Sequence, residues 1–443
     1  MNLPKDFLDE IKKILGDDTG KYVSLFDEPY YRGISINRLK TTPEKVLSLL
    51  PFDVEKSPFY QDGYYIPSDY EGVGNLWLHH AGAYYVQEPS ASSAVPLLDI
   101  QKGDYVLDLC AAPGGKTAQT ASLLGGSGLV WSNEIIKSRA NILLSNFERM
   151  GISRGVVSSC SPEILCEKLS GYFDKVLVDA PCSGEGMFRK NPEAINEWSP
   201  EHTVSCSHRQ LSILKSAAGC VREGGILVYS TCTFSHNENE EVVESFLSSC
   251  PDFEPYDIDE PFGRKTKYGN AVRITPIEGG EGHFAARFRK KGDLSRIKNI
   301  YKPKNNIKKE SKRLIEEFFD DIFTERPDLI YTLVGNRIYL LPKDIPPLDG
   351  TGIIRAGVFV GEIMKNRIEP AHALFTSANP NSLKRVLSLD KDDPRIEEFL
   401  CGREIDCGGE KGYTAVAVEG MTVGFGKCSG GRLKNRYPKG LRI

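Results

Sequence analysis

Apolar positions recur along this chain in two rhythms, and the change between them falls near residue 95. Before it, short apolar stretches at 31–37 and 64–66 lie among Tyr, Pro and Gly, which predicts short strands and turns around one helix at 43–50. The first residues, 1–13, mix charge with Leu3, Phe7, Leu8 and Ile11 and read as an amphipathic helix rather than a signal peptide. After residue 95, compact apolar runs alternate with helical periods. Strands are predicted at 105–110, 128–133, 156–157, 173–179 and 225–230, and helices at 116–124, 136–150 and 208–221. Strand and helix alternating at short intervals imply an α/β fold, a parallel sheet with helices on both faces. Ligands in such sheets bind beyond the carboxyl ends of the strands, where the strand order reverses.

After Pro251 the alternation stops, and 271–274 and 283–288 read as strands that close the sheet as an antiparallel edge. The Asn/Lys/Pro-rich stretch 290–310 is the best linker candidate. A helix at 311–323, short strands at 330–333 and 338–341, and a Gly-rich β segment at 412–426 follow, with no internal repeat. The expected division is an α+β module at 1–94, the α/β domain at 95–290, a basic linker with a small intermediate domain at 291–375, and a β-rich module at 376–443.

With 40% hydrophobic and 26% charged residues in 443, the composition is that of a soluble globular protein, and no apolar run is long enough to span a bilayer. A cytoplasmic protein without a membrane partner is expected; the oligomeric state is not indicated. The eleven cysteines lack the dense, regular spacing of a secreted disulfide scaffold, so reduced thiols are expected. Cys401, Cys407 and Cys428 do not have the spacing of a zinc knuckle and no histidine lies near, so buried thiols rather than a metal site are expected there. The net charge of −4 hides two basic stretches: twelve Lys/Arg against Asp293 and Glu310 over 287–313, and six Lys/Arg with no acid over 427–443. Either could be a solvated tail, but two in one chain favour phosphate contact, since Lys and Arg release condensed counterions from nucleic acid.

The chemically unusual residues sit at predicted strand ends. DLCAAPGGKT at 108–117 links a strand to a helix, and Gly114 and Gly115 let a ligand approach the main chain. The loop is neither G-x-G-x-x-G nor a P-loop, which argues against a dinucleotide or ATP. Glu134, at the end of the next strand, stands where an acid hydrogen-bonds ribose hydroxyls in related folds, and suits an adenosine ligand.

DLCAAPGGKT, DAPCSGEG at 179–186 and YSTCT at 229–233, in this order, resemble the RsmB/RsmF-type family of RNA 5-methylcytosine methyltransferases. RKNP at 189–192, WSP at 198–200 and RLKNRYP at 432–438 are similar to the RsmF branch, which acts on 16S ribosomal RNA. The resemblance spans nearly the whole chain and is strongest over 75–290. It implies a Rossmann-like class I S-adenosylmethionine-dependent methyltransferase sheet, a small N-terminal α+β RNA-binding module and a C-terminal PUA-like RNA-binding module. It implies that S-adenosylmethionine is held by Cys110, Ala111, Ala112, Pro113, Gly114, Gly115 and Lys116, by Glu134 and by Asp179. An adenine contact often made by Asp in the family falls to Ser161 here, where a hydroxyl replaces the charge-assisted bond. The partner implied is RNA, 16S ribosomal RNA or the small ribosomal subunit, with transfer RNA as the alternative substrate.

Carbon 5 of cytosine is a poor nucleophile, and adding a thiolate to C6 makes it enamine-like, which divides one hard step into two easier ones. After methylation the C5 proton must leave so that the thiolate can be expelled, and a second group is useful there. Cys182 and Cys232 follow neighbouring strand ends and can converge on one cleft. Their chemistry leaves the two roles exchangeable; the resemblance makes Cys232 the nucleophile and Cys182 the aid to product release. Asp179 is placed for the N3/N4 edge of the base, and Lys116 for the base or the thiols. The base must stand outside a stacked helix, and Tyr60, Tyr64, Tyr65, Trp77, Tyr84 and Tyr85 serve either as stacking platforms or, taken singly, as core.

Overall fold

The structure, a computed structural model, describes residues 3–266, 269–293, 301 and 307–443. At its centre is a ten-stranded sheet. Its middle strands, Gly155–Ser158, Leu129–Asn133, Tyr105–Asp108, Phe173–Asp179 and Val221–Thr231, are neighbours in that order and all parallel. The chain runs outward from Tyr105–Asp108 in one direction and resumes beside it at Phe173–Asp179 in the other. The reversal therefore falls between the ends of these two strands, at Asp108 and Asp179.

Successive residues of a strand face opposite sides, and here both sides are apolar. Leu107, Trp131, Val176, Val178 and Tyr229 enter one core, and Val106, Val130, Leu177 and Val228 the other. The helices Gly115–Leu124 and Lys137–Arg149 supply the second core, and Pro200–Cys220 and Glu240–Ser249 the first. Beyond Val221–Thr231 the strands His283–Lys290, Ala271–Ile274 and Arg264–Lys265 run antiparallel to their neighbours, as the sequence pattern predicts, and Phe253–Pro255 also pairs with His283–Lys290.

The structure differs from the sequence reading in several places. The opposite sheet edge is Ile353–Ala356, a strand the sequence pattern does not predict, which pairs antiparallel with Gly155–Ser158 from nearly two hundred residues away in sequence. The helix expected at 208–221 begins at Pro200, because Ser199 caps it by accepting from His202 N (3.1 Å) and proline opens its first turn. Cys407 and Cys428 form a disulfide, contrary to the expectation of reduced thiols. Most of the stretch read as a linker, 290–310, lies outside the described residues.

The N-terminal sheet (Glu55–Lys56, Gly63–Tyr65, Gly33–Ile36, Tyr84–Val86) and the C-terminal five-stranded sheet share one core, in which Ile34 and Tyr84 meet Val416 and Tyr437. Tyr60, Tyr64 and Tyr84 are buried, so for these three the core reading holds. Tyr65 donates to Gly279 O (2.8 Å) and thereby ties the N-terminal sheet to the loop before His283. No described helix is long and apolar enough to cross a membrane.

Candidate active site

The loop after Tyr105–Asp108 is held from three sides. Leu109 N donates to Leu177 O (3.0 Å) and Ala111 N to Asn133 O (2.8 Å), which fixes it to both neighbouring strand ends. Asn146 Nδ2 and Arg139 reach back from the Lys137–Arg149 helix to Pro113 O (2.9 Å) and Ala112 O (3.0 Å). Gly114 caps the next helix at φ +115°, a left-handed conformation that side chains resist. At Gly115 a Cβ would meet Tyr85 Cε1 at 3.0 Å and Gln87 Cδ at 3.2 Å. The strand around Tyr85 thus lies across the loop and roofs it.

Between loop and roof is a cavity of about 210 Å³. Cys110, Ala111, Ala112, Pro113, Gly115, Lys116 and Asp179 line it together with Asp108 and, from the roof, Tyr85, Gln87 and Glu88. Gly114 lies in the same loop but faces Leu143 (3.1 Å). Two further predicted cofactor residues are not brought to the cavity lining. Glu134 is buried, accepts from Ile136 N (2.9 Å) and pairs with Arg139 (3.3 Å). Ser161 caps the Pro162–Lys168 helix, accepting from Ile164 N at 3.5 Å.

The chemistry-bearing groups follow from the loop. Asp108 Oδ2 accepts from Thr117 (2.7 Å), whereas its Oδ1 is buried without a partner. Burial above all pushes this carboxyl up to about 7. An unmet carboxylate oxygen on the cavity wall suits a cationic ligand, and with the glycine loop and apolar walls it fits the ammonium and adenosyl parts of S-adenosylmethionine. Lys116 Nζ lies 2.8 Å from Asp179 Oδ2, and Ser230 Oγ donates to Asp179 Oδ1 (2.7 Å). Burial pushes Asp179 up, but Lys116, then His283 and the hydrogen bonds from Lys116 and Ser230, hold it below the ordinary carboxylate range.

Three residues beyond Asp179 and two beyond Ser230 are the thiols. Cys182 Sγ and Cys232 Sγ are 3.1 Å apart, and Cys232 N donates to Cys182 Sγ (3.3 Å). The hydrogen bond to Cys232, and then burial, raises the Cys182 thiol well above its usual range, so it is held neutral. What positions it is not among the residues the sequence pattern singles out. Buried Glu238 accepts from Ser183 N (3.0 Å), the Ser183 hydroxyl and Gln210 Nε2 (2.7 Å), and so fixes the turn that carries Cys182. Nor is His283, a buried histidine opening the next strand, among them. A histidine heading a strand in which Arg287 is the only other polar residue over 283–288 was the available signal.

Glu185, in the same turn, accepts from Trp198 Nε1 (2.8 Å) and Phe234 N (2.8 Å). Burial first, and the charge of Glu10 second, push it up to about 7, against hydrogen bonds that lower it. In the unfolded chain it titrates near the ordinary value of about 4.3. Between these values the folded state binds more protons than the unfolded state, so the contribution of Glu185 to stability falls as pH rises. Glu185→Gln removes that dependence. Thermal unfolding at pH 5, 6, 7 and 8 should show the melting temperature of the variant rising relative to wild type with pH; a constant difference would contradict this assignment.

The description "16S rRNA methyltransferase RsmB/F" matches residues 95–289. RsmF-specific descriptions match an N-terminal domain at 3–89, a first C-terminal domain at 317–377 and a PUA domain at 386–443. The Ribosomal RNA small subunit methyltransferase F of Vibrio vulnificus is 30% identical over 99% of this chain and 97% of its own length. Among solved structures, a methyltransferase homolog protein from Pyrococcus horikoshii is 25% identical, with a TM-score of 0.56, and covers 65% of this chain and 100% of its own. NSun6 from the same organism, solved with SFG, shares the fold at 21% identity and a TM-score of 0.59, over 66% of this chain and 99% of its own.

Proposed function

The chain belongs to the RsmB/F family of 16S rRNA methyltransferases, and from that membership we propose that it methylates carbon 5 of a cytosine in 16S ribosomal RNA, free or in the small subunit. It is an S-adenosylmethionine-dependent rRNA methyltransferase. The 3.1 Å approach of Cys182 and Cys232, two strand ends beside the Lys116–Asp179 pair, carries the finer reading. A C5 transfer needs a thiolate and a helper in one place, and a transfer to a base nitrogen or to ribose needs neither.

S-adenosylmethionine supplies an electrophilic methyl group and leaves without it. The loop from Cys110 to Lys116 would hold it together with Asp108 and Asp179; Glu134 and Ser161 belong to the same proposed set, although each is engaged locally in this structure. Cys232, as thiolate, bonds to C6 of the cytosine, and the C5–C6 electron pair becomes available at C5. Asp179 faces the N3/N4 edge, where a proton makes the ring a better acceptor, and Lys116, ion-paired with Asp179, is the group that carries one. Once C5 carries the methyl group its proton is removed, the C5–C6 double bond re-forms and the C6–S bond breaks, with Cys182 assisting release. The N-terminal and PUA modules, which share one core, bind the RNA around the target, and the four-part division at residues 94, 290 and 375 belongs to this proposal. The place of action is the cytoplasm.

Purified protein incubated with S-adenosylmethionine and unmodified small-subunit RNA, in parallel with transfer RNA, tests this. Nucleoside mass spectrometry should find 5-methylcytidine in the 16S arm. Its absence there would overturn the assigned position, and its appearance only in transfer RNA would overturn the assigned substrate.

A further inference from the structure

His283 is a buried side chain beside the carboxyl ends of the parallel strands that the steps above leave unused. The ladder pairs Phe284 with Thr231 and His283 with Ile274, so His283 stands next to Cys232 along the edge of the parallel block. Side-chain alternation puts His283 on the face of Ala285, and Ala285 pairs with Ser230, whose hydroxyl is bonded to Asp179. The same face carries Asp179 and receives Lys116 from the following helix. Only 2% of His283 is exposed, and neither Nδ1 nor Nε2 has a hydrogen-bond partner. Buried polar groups are seldom left unmet, because each costs about 1–3 kcal/mol. A histidine with both ring nitrogens unmet, on the face that carries Asp179 and Lys116, is therefore poised for a ligand.

We propose that His283, as a neutral imidazole, donates a hydrogen bond to O2 of the target cytosine and stabilises the negative charge that spreads to that edge when Cys232 adds to C6. The inference rests on the cytosine-C5 reading above. As the S–C6 bond forms, the electron pair displaced from C5=C6 spreads through C4 and N3 to O2. A donor placed there in advance strengthens its bond in the transition state, and no proton is transferred. Burial first, and Lys116 second, lower the imidazolium to about 3 against the opposing pull of Asp179. His283 thus remains neutral at any working pH, which suits a hydrogen-bond donor and makes it a weak base for the C5 proton. Lys116 and Asp179 are the charged groups that act on it from the facing elements.

The experiment uses the full-length protein, S-adenosylmethionine and an RNA carrying 5-fluorocytosine at the modified position, with the covalent protein–RNA product followed on a denaturing gel. His283→Ala should form it roughly 10- to 100-fold more slowly than wild type, from the loss of one transition-state donor. S-adenosylmethionine affinity should stay within about threefold, since the donor serves the base and not the cofactor. His283→Gln, which restores an N–H donor, should recover part of the rate even if alanine weakens folding. An unchanged rate in both variants would overturn the inference. So would a His283→Ala protein that stays covalently joined to RNA bearing ordinary cytosine, because that assigns the histidine to proton removal instead. Absence of any covalent product with wild-type protein would count against the cytosine-C5 reading itself.

Discussion

Cys232→Ala is expected to lose methyl transfer altogether, by roughly 10⁴-fold or more, as removal of a catalytic nucleophile does elsewhere. Its melting temperature and S-adenosylmethionine binding should stay near wild type, because Cys232 does not line the cavity and its side chain is only partly buried. Cys182→Ala is expected to fail differently. Its thiol is 3.1 Å from Cys232, is held neutral, and sits in a turn anchored by Glu238 through Ser183. Without it Cys232 can still add to C6 and the methyl group can still move, but release stalls. The protein should then run on a denaturing gel as a species covalently joined to RNA of ordinary sequence. The double variant should form no such species. Loss of turnover in Cys182→Ala without covalent accumulation would contradict the division of roles, and accumulation in Cys232→Ala would exchange them.

Separating Lys116 from Asp179 should have the next largest effect. Asp179 receives one hydrogen bond from Lys116 (2.8 Å) and one from Ser230 (2.7 Å). Asp179→Asn keeps the size and the Ser230 contact but removes the charge, so turnover should fall roughly 10²- to 10³-fold, in the range of lost acid–base assistance. S-adenosylmethionine affinity should fall less than turnover, since Asp179 is one of several residues lining the cavity. Lys116→Met leaves a largely buried carboxylate without its cation. The loss for a fully buried pair is about 3–5 kcal/mol, and because 31% of the Asp179 side chain is exposed here about 1–2 kcal/mol is expected. The sign with pH follows from the lowered carboxyl. The stability given by the pair is present above the ordinary carboxylate value and is lost as pH falls through the folded value. The penalty for Lys116→Met should therefore be full at pH 7 and shrink toward pH 3. Equal melting temperatures of variant and wild type at pH 7 would contradict a stabilising pair.

The central sheet was legible because its strands are continuous apolar runs, buried on both faces, and each is followed by a helical period. The cavity loop was legible from its glycines, and the approach of the two thiols from their positions after neighbouring strands. The Ile353–Ala356 edge strand was not, because its partner lies far away in sequence and four residues carry little pattern. The early start of the Pro200–Cys220 helix was signalled by Ser199-Pro200, but proline reads as a break until the cap is recognised. The Cys407–Cys428 disulfide is a product of sheet register. Ile405 and Cys428 both pair with Leu433, which brings Cys407 to the same end of the sheet, and a count of cysteines carries no such information. Glu134 follows its strand end as the sequence pattern predicts, but local geometry turns it and Ser161 each toward its own helix: Arg139 and Ile136 N engage Glu134, and Ile164 N engages Ser161.

The most direct measurement is a peptide map of the covalent product formed with 5-fluorocytosine RNA and S-adenosylmethionine. The fluorine cannot leave C5 as a proton does, so the addition product persists through digestion and mass spectrometry. The nucleotide should be attached to the peptide containing Cys232, with Cys182 unmodified. Attachment at Cys182 would contradict the account.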